Sequence, residues 1–117
     1  MTKLLKTTDL HTYALDDSVT AFSTTRHGGV SQGTFGELNI NPFCGDTAEH
    51  VRENRSILCH TLGIDDSSLL LPHQVHGVES RDIAAEFLSL PATVQKQLLE
   101  GVDCLMTDVK GICIGVS

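Results

Sequence analysis

Two arginines, a glycine-rich loop and one histidine after an apolar run are the residues of this chain best suited to chemistry. Arg26 and His27 lead directly into Gly28 and Gly29, and Gly33 follows, so three glycines fall within six positions. Mobile backbone N–H groups beside a guanidinium suit a phosphate or another anion. The spacing is neither a dinucleotide fingerprint nor a P-loop, however, and glycine turns are common. His76 ends the run Leu69-Leu-Leu-Pro-His-Gln-Val-His76, where an imidazole serves as metal ligand or general base. A lone histidine more often simply makes a hydrogen bond. Cysteines stand at 44, 59, 104 and 113 with no Cys-x-x-Cys pair. That spacing fits neither a zinc knuckle nor a redox dithiol, so four free thiols in a reducing, cytoplasmic setting are expected.

The elements that must position these groups are legible in part. Residues 19–25 are rich in β-branched side chains and read as a strand running into the glycine loop. A helix is expected over 47–62, with Asp46 as N-cap, Glu49 completing a capping box, and Gly63 as the C-terminal signature. Helical spacing places Ala48, Val51, Leu58 and Leu62 on one stripe, with Arg55 inside it and Asn54 at its edge. A core-facing arginine needs a partner; a structural ion pair and an anionic substrate group are both open. If 69–76 is extended, Leu70, Gln74 and His76 share one face and Leu69, Leu71, His73 and Val75 the other, so His73 and His76 are not a ligand pair. A second helix is expected over 91–100, capped at Ser89 or Leu90 and closed by Gly101. Strands at 102–107 and 112–116 are expected to form a hairpin through 108–111.

The order strand, loop, helix, strand, helix, hairpin gives an α+β class, with a mixed or antiparallel sheet flanked by helices, in a single domain over 1–117. The 117 residues are 40% hydrophobic and 20% charged, with a net charge of −7 from 15 acids and 8 bases. No basic cluster exists to displace counterions, which argues against a nucleic-acid partner. The opening residues have no signal-like apolar stretch and no run is long enough to span a bilayer, so neither a leader nor a membrane partner is expected.

Five segments, in order, resemble the YfiH-like or laccase-domain family. They are Ser23-Thr-Thr-Arg-His-Gly-Gly-Val-Ser-Gln-Gly33; Glu37-Leu-Asn-Ile40; Gly45-Asp46 with Val51-Arg-Glu-Asn-Arg55; Gln74-Val-His-Gly77; and Asp103, Thr107-Asp108 and Gly111. The family usually has Ser where Glu37 stands. The resemblance implies a zinc-dependent purine nucleoside phosphorylase acting on adenosine, inosine or methylthioadenosine with phosphate, and also deaminating adenosine. It implies His76 as one metal ligand, joined by a cysteine and a second histidine expected after residue 117. It makes Arg26, Gly28, Gly29, Asn39, Arg55 and Gln74 the residues expected to meet nucleoside or phosphate.

The chain is therefore expected to be the N-terminal half of a longer domain, cut before the catalytic cysteine. Alone it should bind zinc weakly, turn nothing over, and self-associate through uncovered sheet edges. Copper-dependent polyphenol oxidation is the alternative the family's older label implies, although the six histidines include no His-x-His pair. Some relatives are linked to editing of peptidoglycan precursors. A non-enzymatic fragment or interaction module is the other alternative.

Overall fold

The structure, a computed structural model, describes residues 3–117. The chain divides into two compact units, Met1–Gly63 and Ile64–Ser117.

The first unit begins with a 3-10 turn, Thr7–Asp9, and an antiparallel hairpin of β1 (Leu10–Asp16) and β2 (Val19–Thr24). Leu10 faces Thr24 and Tyr13 faces Ala21, with a register shift before Asp16 meets Val19. Asp16 closes the turn by accepting from Ser18 N at 2.9 Å and Ser18 Oγ at 2.6 Å. Strand β2 agrees with the sequence expectation; β1 was not foreseen. The glycine loop and a further 3-10 turn, Gly33–Phe35, lead to α1 (Ala48–Leu62).

Helix α1 ends as expected, with Gly63 left-handed at φ 74° and its N–H donated to Cys59 and His60 carbonyls. Its start is corrected: Thr47, not Asp46, is the N-cap, and Thr47 Oγ1 accepts from His50 N at 3.3 Å. Asp46 is drawn into the loop cluster described below. The buried stripe is rotated from the expected one and consists of Val51, Asn54, Ile57, Leu58 and Cys59. Ala48 is exposed and Leu62 half-buried. Val51, Ile57, Leu58 and Cys59, with Leu5 and Leu38, supply the apolar core of the unit; each Leu or Ile withdrawn from water contributes about 1.5–3 kcal/mol.

In the second unit, Asp65 caps a 3-10 turn, Asp66–Ser68, that opens into β3 (Leu69–Leu70). Two more strands, β4 (Ser80–Asp82) and β5 (Cys104–Met106), are separated by a 3-10 turn, Ala85–Ser89, and by α2 (Ala92–Leu99). The last strand is β6 (Cys113–Ile114). Both pairings here are parallel, β3 with β6 and β4 with β5. The expected hairpin of 102–107 with 112–116 is thus overturned: each strand adds to an earlier one, and Gly111, left-handed at φ 81°, turns a connecting loop. A parallel pair needs a long crossover, and the 3-10 turn and α2 supply it between β4 and β5.

Helix α2 starts after Pro91, within a residue or two of the expected bounds; neither Ser89 nor Leu90 is its cap. Gln95 Nε2 donates to the carbonyls of Phe87 at 3.0 Å and Leu90 at 3.1 Å, tying α2 to the turn before it. Leu70, Ile83, Phe87, Val102 and Leu105 form the buried core, with Leu98, Leu99, Ile112 and Ile114 packed against it. Helices with one antiparallel and two parallel strand pairs make an α+β chain, as expected. No helix among the described residues is long and apolar enough to cross a membrane. All four cysteines are free thiols, Cys59 buried and Cys44 and Cys104 exposed.

Candidate functional site

Asn54 organises the loops of the first unit, a role its place at the edge of the expected apolar stripe did not announce. Its side chain is 0% exposed. Its Oδ1 accepts from Val30 N at 2.8 Å, and its Nδ2 donates to Ser31 Oγ and to the Asn39 carbonyl, both at 2.9 Å. One buried amide therefore holds the glycine loop, the 37–40 segment and α1 together, with every contact a satisfied hydrogen bond. Ser31 passes the chain on, donating from Oγ to Asp46 Oδ2 at 2.5 Å, where Asn39 Nδ2 also donates at 3.2 Å. The Ser31 hydroxyl, opposed by burial and aided by Asn39, Thr47 N–H and His50, holds the Asp46 carboxyl below its ordinary range.

The glycines of the loop serve close packing. A Cβ on Gly29 would fall 2.5 Å from both Asn54 Oδ1 and Leu38 Cα, and would also strike the Glu37 carbonyl. Gly28 is left-handed at φ 102°, and a Cβ there would lie 2.5 Å from Leu5 Cδ2 and 2.8 Å from Asp9 Oδ2. Three of the loop N–H groups are held by acceptors of this chain. Gly28 N donates to Glu37 Oε1 at 2.9 Å, Val30 N to Asn54, and Ser31 N to the Glu37 carbonyl at 2.9 Å. The Glu37 carboxylate thus takes up the Gly28 N–H itself.

The two arginines border the same loops. Arg26 is exposed and donates from Nε to the Gly36 carbonyl at 3.1 Å. Arg55 is half-buried, and its Nη1 donates to the Ile40 carbonyl at 3.4 Å. The first unit thus brings Arg26, Gly28, Gly29 and Asn39 into one set of loops around Asn54, with Arg55 reaching the same loops from α1. Asn39 is fully engaged, since its Oδ1 also accepts from Asn41 N at 3.1 Å.

Gln74 and His76 belong to the second unit. The alternation expected over 69–76 stops early: Leu69, Leu70, Leu71 and Pro72 are all buried, because the segment is covered on both faces. His73 makes a parallel bridge with Glu100, and its Nδ1 lies 2.9 Å from both carboxylate oxygens. Gln74 Oε1 accepts from Ser117 N at 3.2 Å. The chain then turns sharply. His76 is exposed and has φ 62°, the one positive value among the described non-glycine residues. Asp103 lies under this turn and accepts the Val75 N–H at 2.9 Å.

The donor set does not by itself fit a metal. A catalytic zinc takes three protein ligands, and among the described residues no three His, Cys, Asp or Glu side chains converge to hold an ion. His76 offers one accessible imidazole.

Residues 20–117 match the family described as multi-copper polyphenol oxidoreductase laccase. A purine nucleoside phosphorylase of Bacteroides thetaiotaomicron is 34% identical over 100 residues, which are 86% of this chain and 37% of that protein. An adenosine deaminase, RL5, from an unidentified prokaryote is 37% identical over 101 residues, covering 86% of this chain and 38% of the relative. The crystal structure of YlmD from Geobacillus stearothermophilus superimposes with a TM-score of 0.72 at 29% identity, over 86% of this chain and 37% of that one. The chain therefore spans well under half the length of these relatives.

Proposed function

We propose, from the premise that this chain belongs to the multi-copper polyphenol oxidoreductase laccase family, YfiH-like in fold, that it is the N-terminal part of a purine nucleoside enzyme. The whole protein cleaves adenosine, inosine or methylthioadenosine with phosphate and deaminates adenosine. Two relatives carry those names, purine nucleoside phosphorylase and adenosine deaminase. The observation that carries the reading is the presentation of His76: an exposed imidazole on a left-handed turn, inside the Gln74-Val-His-Gly77 motif.

Zinc is the metal proposed for the whole protein, with His76 as the ligand from this chain and the others from polypeptide beyond it. His76 would help to hold the metal, which when bound would supply Lewis-acid chemistry. Phosphorolysis replaces the glycosidic C–N bond by a bond from a phosphate oxygen to the sugar carbon, and the base leaves. It needs cationic donors held beside the attacking anion. Arg26, whose guanidinium is exposed, and Arg55 are the cations proposed for that role. Gly28, Gly29, Asn39 and Gln74 are the further residues proposed to meet nucleoside or phosphate.

The reading is tested in two parts. Zinc titrated into the 117-residue chain should show no tight one-to-one binding and no turnover of adenosine; stoichiometric tight binding would contradict the shared-site proposal. The polypeptide extended to the length of its relatives should release base from inosine in a phosphate-dependent way, and His76→Ala should abolish it. Full activity in His76→Ala removes the basis of the assignment. Copper-dependent phenol oxidation has the family's description in its favour. Oxygen uptake with a phenol, dependent on copper, would select that reading instead.

A further inference from the structure

Asp103 grips the turn of His76 from both sides. Its Oδ1 accepts the Val75 N–H at 2.9 Å, while its own N–H donates to the Glu79 carbonyl at 2.8 Å. The two bonds bracket residues 76–78. The second carboxylate oxygen, Oδ2, is shut off from solvent and has no hydrogen-bond partner of its own. It faces Gly77 so closely that a Cβ there would be 3.1 Å away. The Val75 N–H chiefly, against the opposing effect of burial and with help from the N–H groups of Gly77, Glu79 and His76, keeps this carboxyl below its ordinary range. Only the Val75 contact is a full hydrogen bond; the others are amide dipoles leaning toward the same charge. A left-handed backbone is unfavourable for a residue with a Cβ, so residue 76 holds that conformation only where its surroundings impose it.

We propose that Asp103 is a positioning residue for His76: its carboxylate accepts the Val75 N–H and its own N–H ties down Glu79, so the turn is held at both ends, residue 76 is kept in the left-handed conformation, and the place of the imidazole is fixed. The inference rests on the reading of His76 as the functional imidazole, but its test does not. Retention of activity by His76→Ala would sink that reading and leave this inference intact.

The test is nuclear magnetic resonance on the 117-residue chain. A positive φ gives residue 76 a strong intraresidue amide-to-α-proton Overhauser effect. Asp103→Asn keeps an oxygen for Val75 but aims an amide N–H at the turn. The Overhauser effect at His76 should weaken, and exchange of the Val75 amide should quicken by about tenfold or more. Leu105→Ala, a core truncation in β5, lowers stability and should leave both signals unchanged. Adding His76→Gly to Asp103→Asn should restore protection of Val75, because glycine adopts the left-handed region without strain. Unchanged signals in Asp103→Asn, equal loss in Leu105→Ala, or no restoration by glycine would each overturn the proposal.

Discussion

Replacing Asn54 by alanine removes three hydrogen bonds, to Val30 N at 2.8 Å and to Ser31 Oγ and the Asn39 carbonyl at 2.9 Å each. At about 1 kcal/mol net for each bond, the loss comes to roughly 3 kcal/mol. That is a large fraction of the ~5–15 kcal/mol by which a domain is stable. With a urea dependence of about 1.5 kcal/mol per molar, the unfolding midpoint should fall by roughly 2 M. Circular dichroism through a urea titration reads it. Asn54→Leu separates two explanations, since it restores volume and apolar burial but leaves the same polar partners stranded. If hydrogen bonding is what counts, leucine is as damaging as alanine. A midpoint for Asn54→Leu at the wild-type value, or a fall of less than about 0.5 M for Asn54→Ala, would refute the hub role.

Gly29→Ala should destabilise by about 1–3 kcal/mol or more, as overpacking does, because its Cβ meets Asn54 Oδ1 and Leu38 Cα at 2.5 Å; a wild-type melting temperature would show that the loop has room to give. Asp46, held below the ordinary aspartate value of 3.8 first by the Ser31 hydroxyl, has a depressed folded pKa. It therefore stabilises the fold above that value, a contribution lost as pH falls through the lower, folded one. Ser31→Ala should move the Asp46 midpoint up toward 3.8 in a carboxyl carbon-13 titration, and an unmoved midpoint would mean the hydroxyl is not the cause.

The sequence revealed features set by local rules and concealed those set at long range. Helix α1 was legible because Gly63 and its apolar spacing act within one segment, and α2 because Pro91 marks its start; Gly101, expected to close α2, lies beyond the C-cap Glu100 and donates to the His73 carbonyl instead. Asn54 escaped because hydrophobic patterning gives an amide no weight, yet three partners from two loops make it the best-buried polar side chain of the unit. The N-cap moved one residue because Asp46 has stronger claims from Ser31 and Asn39 than from the helix. The turn signal at Gly111 was sound, but the strands on either side find parallel partners at β3 and β4, over distances no local pattern encodes. Within the candidate site, the motif Gln74-Val-His-Gly77 marked His76 as a residue, but nothing in it announced the left-handed backbone there. Asp103 was visible only as part of a family pattern, since its grip on Val75 depends on contact across 28 positions.

The β1–β2 ribbon leaves most of its side chains in water, with Tyr13, Leu15 and Val19 all more than half exposed. Two strands with little apolar burial are marginal by themselves. What keeps this ribbon attached at its base is the Asp9 carbonyl, which accepts from Thr25 N at 3.2 Å and Thr25 Oγ1 at 2.8 Å. Its tip can therefore unzip, turn first, while the base beneath stays shut, so that heating frays the ribbon well before α1 releases its core.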